Sequence, residues 1–282
     1  MRFLLTQPFG TFDLETTGVD VENARIVTAC HALLRPAEPV WQQRIDSWLV
    51  AVEEDIPAEA TAVHGITTEF AQDHGDPAEK VVSAIIDRIA ETLAAGFPIV
   101  TMNGAYDFTI LEREARRFGY WTGDTPGDFH PIVDVYVIDK WLDPYRPGSR
   151  KLEVLCAWYG ASHAGAHDST ADALATARVA YRIASWCDRV RADQSTRDRF
   201  TEFLRSRDRG QPQEIVDRLV MLGDMNARQL HDNQIRWRRE QQDSLRKYLV
   251  RKGEKNPDCD PHWPVKPHTR TYEEEVPARG DV

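Results

Sequence analysis

Hydrophobic positions follow two different periods along the first 190 residues. Short apolar runs at 10–14, 25–35, 40–50, 98–102 and 132–134 fit strands, the third interrupted by polar residues. Between them, Val81, Ile85, Ile86, Ile89 and Leu93 recur at three- and four-residue spacing. This predicts a helix over 77–95, with Pro77 suited to its first turn and Gly96 as its stop. The same reasoning predicts an amphipathic helix at 106–118, stopped by Gly119, and helices at 135–142, 152–159 and 169–189, the last rich in Ala. Strands first, then helices interleaved with strands, give an α/β domain with a mixed sheet over residues 1–190. Beyond Arg191 only helical patterns follow, at 196–207, 213–222 and 227–251, so residues 191–255 read as a helical extension. Residues 256–282 hold five prolines and the run Glu273-Glu274-Glu275. They read as an acidic, Pro-rich tail, extended or disordered.

Charge sharpens this division. The formal net charge of −10 argues against a simple basic coat for nucleic acid. Residues 1–190 carry a net −12 (16 basic against 28 acidic), and residues 191–282 a net +2 (19 against 17). An acidic first part with a neutral-to-basic extension fits a metal-centred domain joined to a region able to touch phosphates. Cys30, Cys156, Cys187 and Cys259 are scattered without a CxxC pair, as expected of reduced thiols in a cytoplasmic protein. No run approaches the length of a membrane span, and the first residues lack the apolar segment of a secretion signal.

The candidate chemistry begins at Phe12-Asp13-Leu14-Glu15-Thr16-Thr17-Gly18. On a strand, side chains alternate faces, so Asp13 and Glu15 point the same way. Two like charges on one face repel, and a hard divalent cation would remove that repulsion. A strand end carrying two solvated acids is the plainer alternative. Asp107 follows the strand at 98–102, where α/β folds place their sites, although an acid is also favoured there by the helix dipole. In His167-Asp168-Ser169-Thr170-Ala171-Asp172, His167 and Asp172 would lie about 140° apart on one continuous helix. Asp168 or Ser169 is a good N-cap, so the helix starts there. His167 then sits on the preceding loop, and Asp172 on the helix face. His163, farther from Asp172, fits the same role less well. Asp134 could support the site or merely begin a helix.

Taken in order, Asp13, Glu15, Asp107, His167 and Asp172 make a pattern that resembles the DEDDh (DnaQ-like) 3′→5′ exonuclease family. FDLETTG is similar to its first motif and NGAYDF to its second, with Met102 where a His is common. HDSTAD is similar to its third, with Asp168 where the tyrosine subtype has Tyr. Val63-His64-Gly65-Ile66-Thr67 resembles a loop of the bacterial proofreading members. Val133-Asp134 and Lys151-Leu152-Glu153-Val154-Leu155-Cys156 also look familiar. The resemblance covers about residues 8–190. It implies an RNase H-like mixed sheet flanked by helices, here with a helical C-terminal extension.

The resemblance implies two Mg²⁺ or Mn²⁺ ions held by Asp13, Glu15, Asp107 and Asp172, and a two-metal hydrolysis of the terminal phosphodiester. Asp13, Glu15 and Asp172 would hold the first ion, Asp13 would bridge to the second, and Asp107 would act mainly through water. His167 would take the proton of the attacking water, since an imidazole titrates near neutral pH. Thr16, His64, Asn103 and Phe108 are candidates for holding the terminal nucleotide, Phe108 by stacking on a base. The expected partner is a DNA 3′ end, single-stranded or frayed, with release of nucleoside 5′-monophosphates. The same chemistry on RNA, as in RNase T or oligoribonuclease, is the nearest alternative. A non-catalytic module that binds nucleic acid or a polymerase is a third, and the C-terminal helices keep a protein partner open. Residues 234–251 mix Arg with Trp237 and Tyr248, and could meet the strand through phosphates and stacking. Equally, they could pack Ile235, Leu245 and Leu249 on the first domain with their charges solvated.

Overall fold

The computed structural model describes residues 1–37, 40–121, 129–163, 165, 167–207 and 211–268. After a short 3₁₀ turn (Arg2–Leu5), the chain forms β1 (Phe9–Thr16), β2 (Ile26–Arg35) and β3 (Gln42–Ala51). Then come α1 (Ala58–His64), α2 (Thr68–His74), β4 (Asp76–Pro77), α3 (Ala78–Ala94), β5 (Ile99–Thr101) and α4 (Asp107–Arg117). The remainder comprises β6 (Ile132–Asp134), α5 (Val135–Leu142), α6 (Leu152–Tyr159), α7 (Ser169–Ala192), α8 (Gln194–Ser206), α9 (Pro212–Asp224) and α10 (Ala227–Arg251). The sheet order is β4-β3-β2-β1-β5-β6. β1 runs antiparallel to β2 and parallel to β5, and β5 runs parallel to β6. This is the expected mixed sheet flanked by helices. Among the described residues no helix is long and apolar enough to cross a membrane.

β1 is central because both of its faces are covered. Thr11, Asp13 and Glu15 face α7, where Thr11 Oγ1 donates to the Ala173 carbonyl at 2.9 Å. Phe12 points the other way and meets the ring of Phe108 from α4 at 5.4 Å. Because β1, β5 and β6 are parallel, their C-terminal ends share one edge of the sheet. That edge is where open α/β sheets bind ligands.

Three local expectations are revised. The sequence pattern missed α1 and α2, two seven-residue helices joined through Gly65, whose φ of +77° ends α1, and Thr67, whose side chain caps α2. The HGIT motif is this helix stop and restart. α4 is the expected amphipathic helix, but its charged face is not solvated, for Asp107–Arg116 are all buried. Its charged face is matched by internal ion pairs: Glu112 with Arg113 and Arg116, Arg25 Nε with Glu114 at 2.6 Å, and Arg113 Nη2 with Glu22 at 2.8 Å. Buried pairs of this kind add little net stability, because desolvation offsets much of their attraction. Finally, α10 does not dock through Ile235, which is exposed. Leu230, His231, Gln234, Trp237 and Gln242 turn inward instead. The reason is the open edge of β6. Ile132 N donates to His231 Nδ1 at 3.0 Å, Gln234 Nε2 donates to the Ile132 carbonyl at 3.0 Å, and Asp134 N donates to Gln234 Oε1 at 2.7 Å. Polar side chains of a helix thus stand in for a missing strand.

Apolar residues of α8, α9 and α10 belong to the same buried core as the sheet. Residues 252–268, the described part of the chain after α10, lack helix and strand but are anchored: Cys259, Trp263 and Val265 are buried, and Lys266 N donates to Thr109 Oγ1 at 3.0 Å. The acidic part of the tail, with Glu273-Glu274-Glu275, lies outside the described residues.

Candidate active site

Asp13 and Glu15 sit opposite Cys30 and Thr28 of β2, and a register shift follows immediately between Glu15 and Thr16. The pairing resumes past the shift, Thr16 opposite Ile26 and Thr17 N donating to the Arg25 carbonyl at 3.0 Å, so the shift re-aims the strand end at the sheet edge. There Thr16 Oγ1 shares a short hydrogen bond with the Tyr106 hydroxyl, and that hydroxyl donates to the Gly18 carbonyl at 2.6 Å. Tyr106, which the sequence reading passed over, therefore ties the first acidic motif to the second.

Asp107 is delivered by the loop between β5 and α4. Asn103 takes the left-handed conformation (φ +61°), which Asn tolerates better than most residues. Gly104 is required by space: a Cβ there would lie 2.4 Å from the Thr101 methyl. Both backbone amides are held by Asp134. Its Oδ1 accepts from Asn103 N at 3.0 Å and Tyr136 N at 2.9 Å, and its Oδ2 from Gly104 N at 2.9 Å and Trp263 Nε1 at 2.9 Å. One buried carboxylate thus joins the loop before Asp107, the start of α5 and the C-terminal segment.

The third group comes from α7. Asp168 caps the helix by accepting from Ala171 N at 2.8 Å. Thr28 Oγ1 donates to Ser169 Oγ at 3.1 Å and fixes the helix start over β2. Asp172 then faces β1. His167 lies outside the helix, exposed, with φ +66°, and its backbone amide donates to Asp172 Oδ2 at 3.3 Å. Glu15, His167 and Asp172 offer ligand atoms that all lie within 4.8 Å of one another. His163, the less favoured histidine of the sequence reading, places Nε2 2.6 Å from Asp172 Oδ1.

Electrostatics fit a cation. Burial raises the Asp13 carboxyl well above its usual range, and the neighbouring charges of Asp107, Asp172 and Glu15 raise it further. Burial, then Asp172 and Asp168, push Glu15 up to about 7. Asp107 is raised too, chiefly by burial. Carboxylates that disfavour one another's charge, converging beside a histidine, form a hard oxygen donor set that could hold a divalent cation.

The four candidates for nucleotide contact separate. His64, half-buried at the end of α1, lies beside the Thr16 backbone and His167, and its Nδ1 accepts from Ile66 N at 3.1 Å. Asn103 is exposed at the loop tip. Thr16 is buried with its hydroxyl engaged. Phe108 is fully buried between Phe12 and Phe129 and presents no face to a base.

A family model described as an exonuclease, RNase_T, matches residues 11–180. The zinc-bound form of E. coli exonuclease I in complex with single-stranded DNA shares the fold at a TM-score of 0.52 and 18% identity, over 64% of this chain and 41% of that one. E. coli exonuclease I in complex with a dA16 oligonucleotide gives 0.51 and 18% over the same shares, 64% and 41%. The chain therefore spans well under half the length of these solved proteins. No curated protein matches it in sequence.

Proposed function

Since the chain belongs to the exonuclease family, its family match covering residues 11–180, we propose that it removes nucleotides from the 3′ end of single-stranded DNA by phosphodiester hydrolysis. The observation that carries this reading is the convergence of Asp13, Glu15, Asp107 and Asp172 on one sheet edge, with His167 beside Glu15 and Asp172. The single-stranded DNA bound to E. coli exonuclease I, which shares the fold, supports the choice of substrate.

Asp13, Glu15, Asp107 and Asp172 would hold the divalent ions. When bound, such ions activate water and offset charge on the phosphate and the leaving oxygen. His167 takes a proton from the attacking water at its ring nitrogen, and its loop position lets the ring turn between water and solvent. Asp168 and Ser169 fix the helix start, so that Asp172 stays in place as the ring moves. Exposed Asn103 and half-buried His64 suit contact with the terminal nucleotide. Thr16 holds the turn after Glu15, and Phe108 packs with Phe12 and Phe129 on the far face of β1.

The test offers 5′-labelled single-stranded DNA, duplex DNA and RNA of matched sequence, with Mg²⁺ or Mn²⁺. Shortening from the 3′ end of single-stranded DNA, lost in Asp13→Ala, is expected. No shortening of any substrate with either metal refutes the enzyme reading, and preferential shortening of RNA refutes the choice of sugar.

A further inference from the structure

A cleft of about 420 Å³ opens between α5, α9 and α10, mostly outside the family-matched region. Its floor is the Trp141 ring stacked on Trp237, with centroids 4.0 Å apart and planes at 14°. Two exposed tyrosines stand on its rim: Tyr145 is 86% exposed and Tyr248 56%. Exposed rings beside an aromatic floor are how single-stranded nucleic acids are gripped without regard to sequence, because every base has a face to stack.

The charge around the cleft suits an anion. Lys140 lines it and, among the described residues, makes no ion pair with a carboxylate. After burial, the nearby guanidinium groups of Arg150 and Arg238 are the main influences that lower its pKa. Residues 234–251 hold six basic side chains against two acidic ones, within a chain of net charge −10. Glu240, the acid on the lining, is loosely paired with Arg236 at 3.9 Å. Arg150 is paired with Asp139 at 3.0 Å, which leaves Lys140 as the cation on this lining that a phosphodiester could engage.

Its position is compatible with a strand leaving that site. α5 starts at the C-terminal end of β6, on the edge that carries the acids. α10 passes β6 at His231 and Gln234 and reaches the Val137 carbonyl through Gln241 Nε2 at 2.9 Å, so its later turns project past the same edge. β6 lies two strands from β1, a lateral offset of about 10 Å. A larger cleft, about 490 Å³, runs from Trp41 and Tyr181 near the Phe9 end of β1 to Ser162 and Leu174, and its lining carries no carboxylate.

We propose that the α5–α9–α10 cleft binds the single-stranded DNA upstream of the scissile bond, with a base against Tyr145 and Tyr248 and a backbone phosphate at Lys140. This rests on the exonuclease reading above and adds a second contact region for the same strand. It makes the grip on the substrate depend on strand length.

The test compares the full chain with Lys140→Gln/Tyr248→Ala and, separately, with Tyr145→Ala, which alters a side chain already in water. Three substrates are used: a long single-stranded oligonucleotide, a dinucleotide, and the p-nitrophenyl ester of thymidine 5′-monophosphate. KM for the long strand should rise about tenfold in the double variant, a stacking-sized loss. Its binding should depend less on salt by a slope of about 0.7, one phosphate contact fewer. Turnover of the dinucleotide and the ester should stay at the wild-type level. Unchanged KM for the long strand in both variants, or an equal loss on all three substrates, overturns the proposal while leaving the exonuclease reading intact. A wild-type chain that cleaves none of the three removes both.

Discussion

Replacing Asp134 by Asn keeps shape and size but changes what the side chain can accept. Each carboxylate oxygen takes two N–H bonds: Asn103 and Tyr136 on one, Gly104 and Trp263 on the other. In Asn one of those positions becomes an NH₂ group, which can only donate. Whichever way the amide turns, two donors then face another donor: Gly104 and Trp263, which are buried, or Asn103 and Tyr136, which are part-buried. An unsatisfied buried donor costs about 1–3 kcal/mol, so Asp134→Asn should destabilise by roughly 2–6 kcal/mol. That is a large share of the 5–15 kcal/mol typical of a folded domain. Trp263→Phe removes one donor and leaves the other three paired, for a loss of about 1.5–3 kcal/mol. Because the same carboxylate holds the loop before Asp107, both variants should also need more Mg²⁺ or Mn²⁺ for half-maximal activity. Urea melts of the two single variants and the double variant give the stabilities and the coupling, which should make the double loss smaller than the sum. A loss under about 0.5 kcal/mol for Asp134→Asn, at unchanged m-value, would refute the idea that this carboxylate joins loop, helix and C-terminal segment.

Three other outcomes are expected. Without divalent metal, Asp13→Asn should melt a few degrees above the wild type, because it removes one of several mutually repelling charges, while abolishing activity; a lower melting temperature would contradict the crowding inferred at the site. Burial and nearby His130 push His231 down to about 3 in the folded chain, against about 6.5 unfolded, so its contribution to stability is present above pH 6.5 and is lost as pH falls below it. Between pH 7 and 5 this amounts to about 2 kcal/mol, and His231→Asn should flatten that part of a urea-derived stability profile. His167→Ala should lower kcat by about 10²–10⁴-fold, whereas His163→Gln, able to keep a bond to Asp172, should cost far less. The reverse order in steady-state kinetics would move the proton acceptor to His163.

Much of the site was legible because its residues obey local rules. Alternation on a strand put Asp13 and Glu15 on one face whatever packed against them. The capping preference of Asp168 separated His167 from Asp172 without any knowledge of β1. Other features depended on partners distant in sequence. Nothing near Phe108 says that Phe12 and Phe129 will enclose it, so its ring looked available to a base. His163 ranked below His167 on spacing, yet its Nε2 lies 2.6 Å from Asp172 Oδ1. α10 looked able to dock through Ile235, but the unpaired edge of β6 needed donors and acceptors, so His231 and Gln234 turned inward.

The sequence by itself determined the order and type of most elements, the family, and the five residues expected to carry the chemistry. These follow from periodicity, caps and short motifs, each of which acts within a few residues. Tertiary structure alone decided which charges are buried, and so which carboxylates are driven toward their neutral form. It also decided that Asp134 would bind Trp263, 129 residues away, and that Tyr145 and Tyr248 would stand in water around a tryptophan floor. Burial and pairing across the fold depend on what covers a side chain, and a linear chain does not carry that information locally.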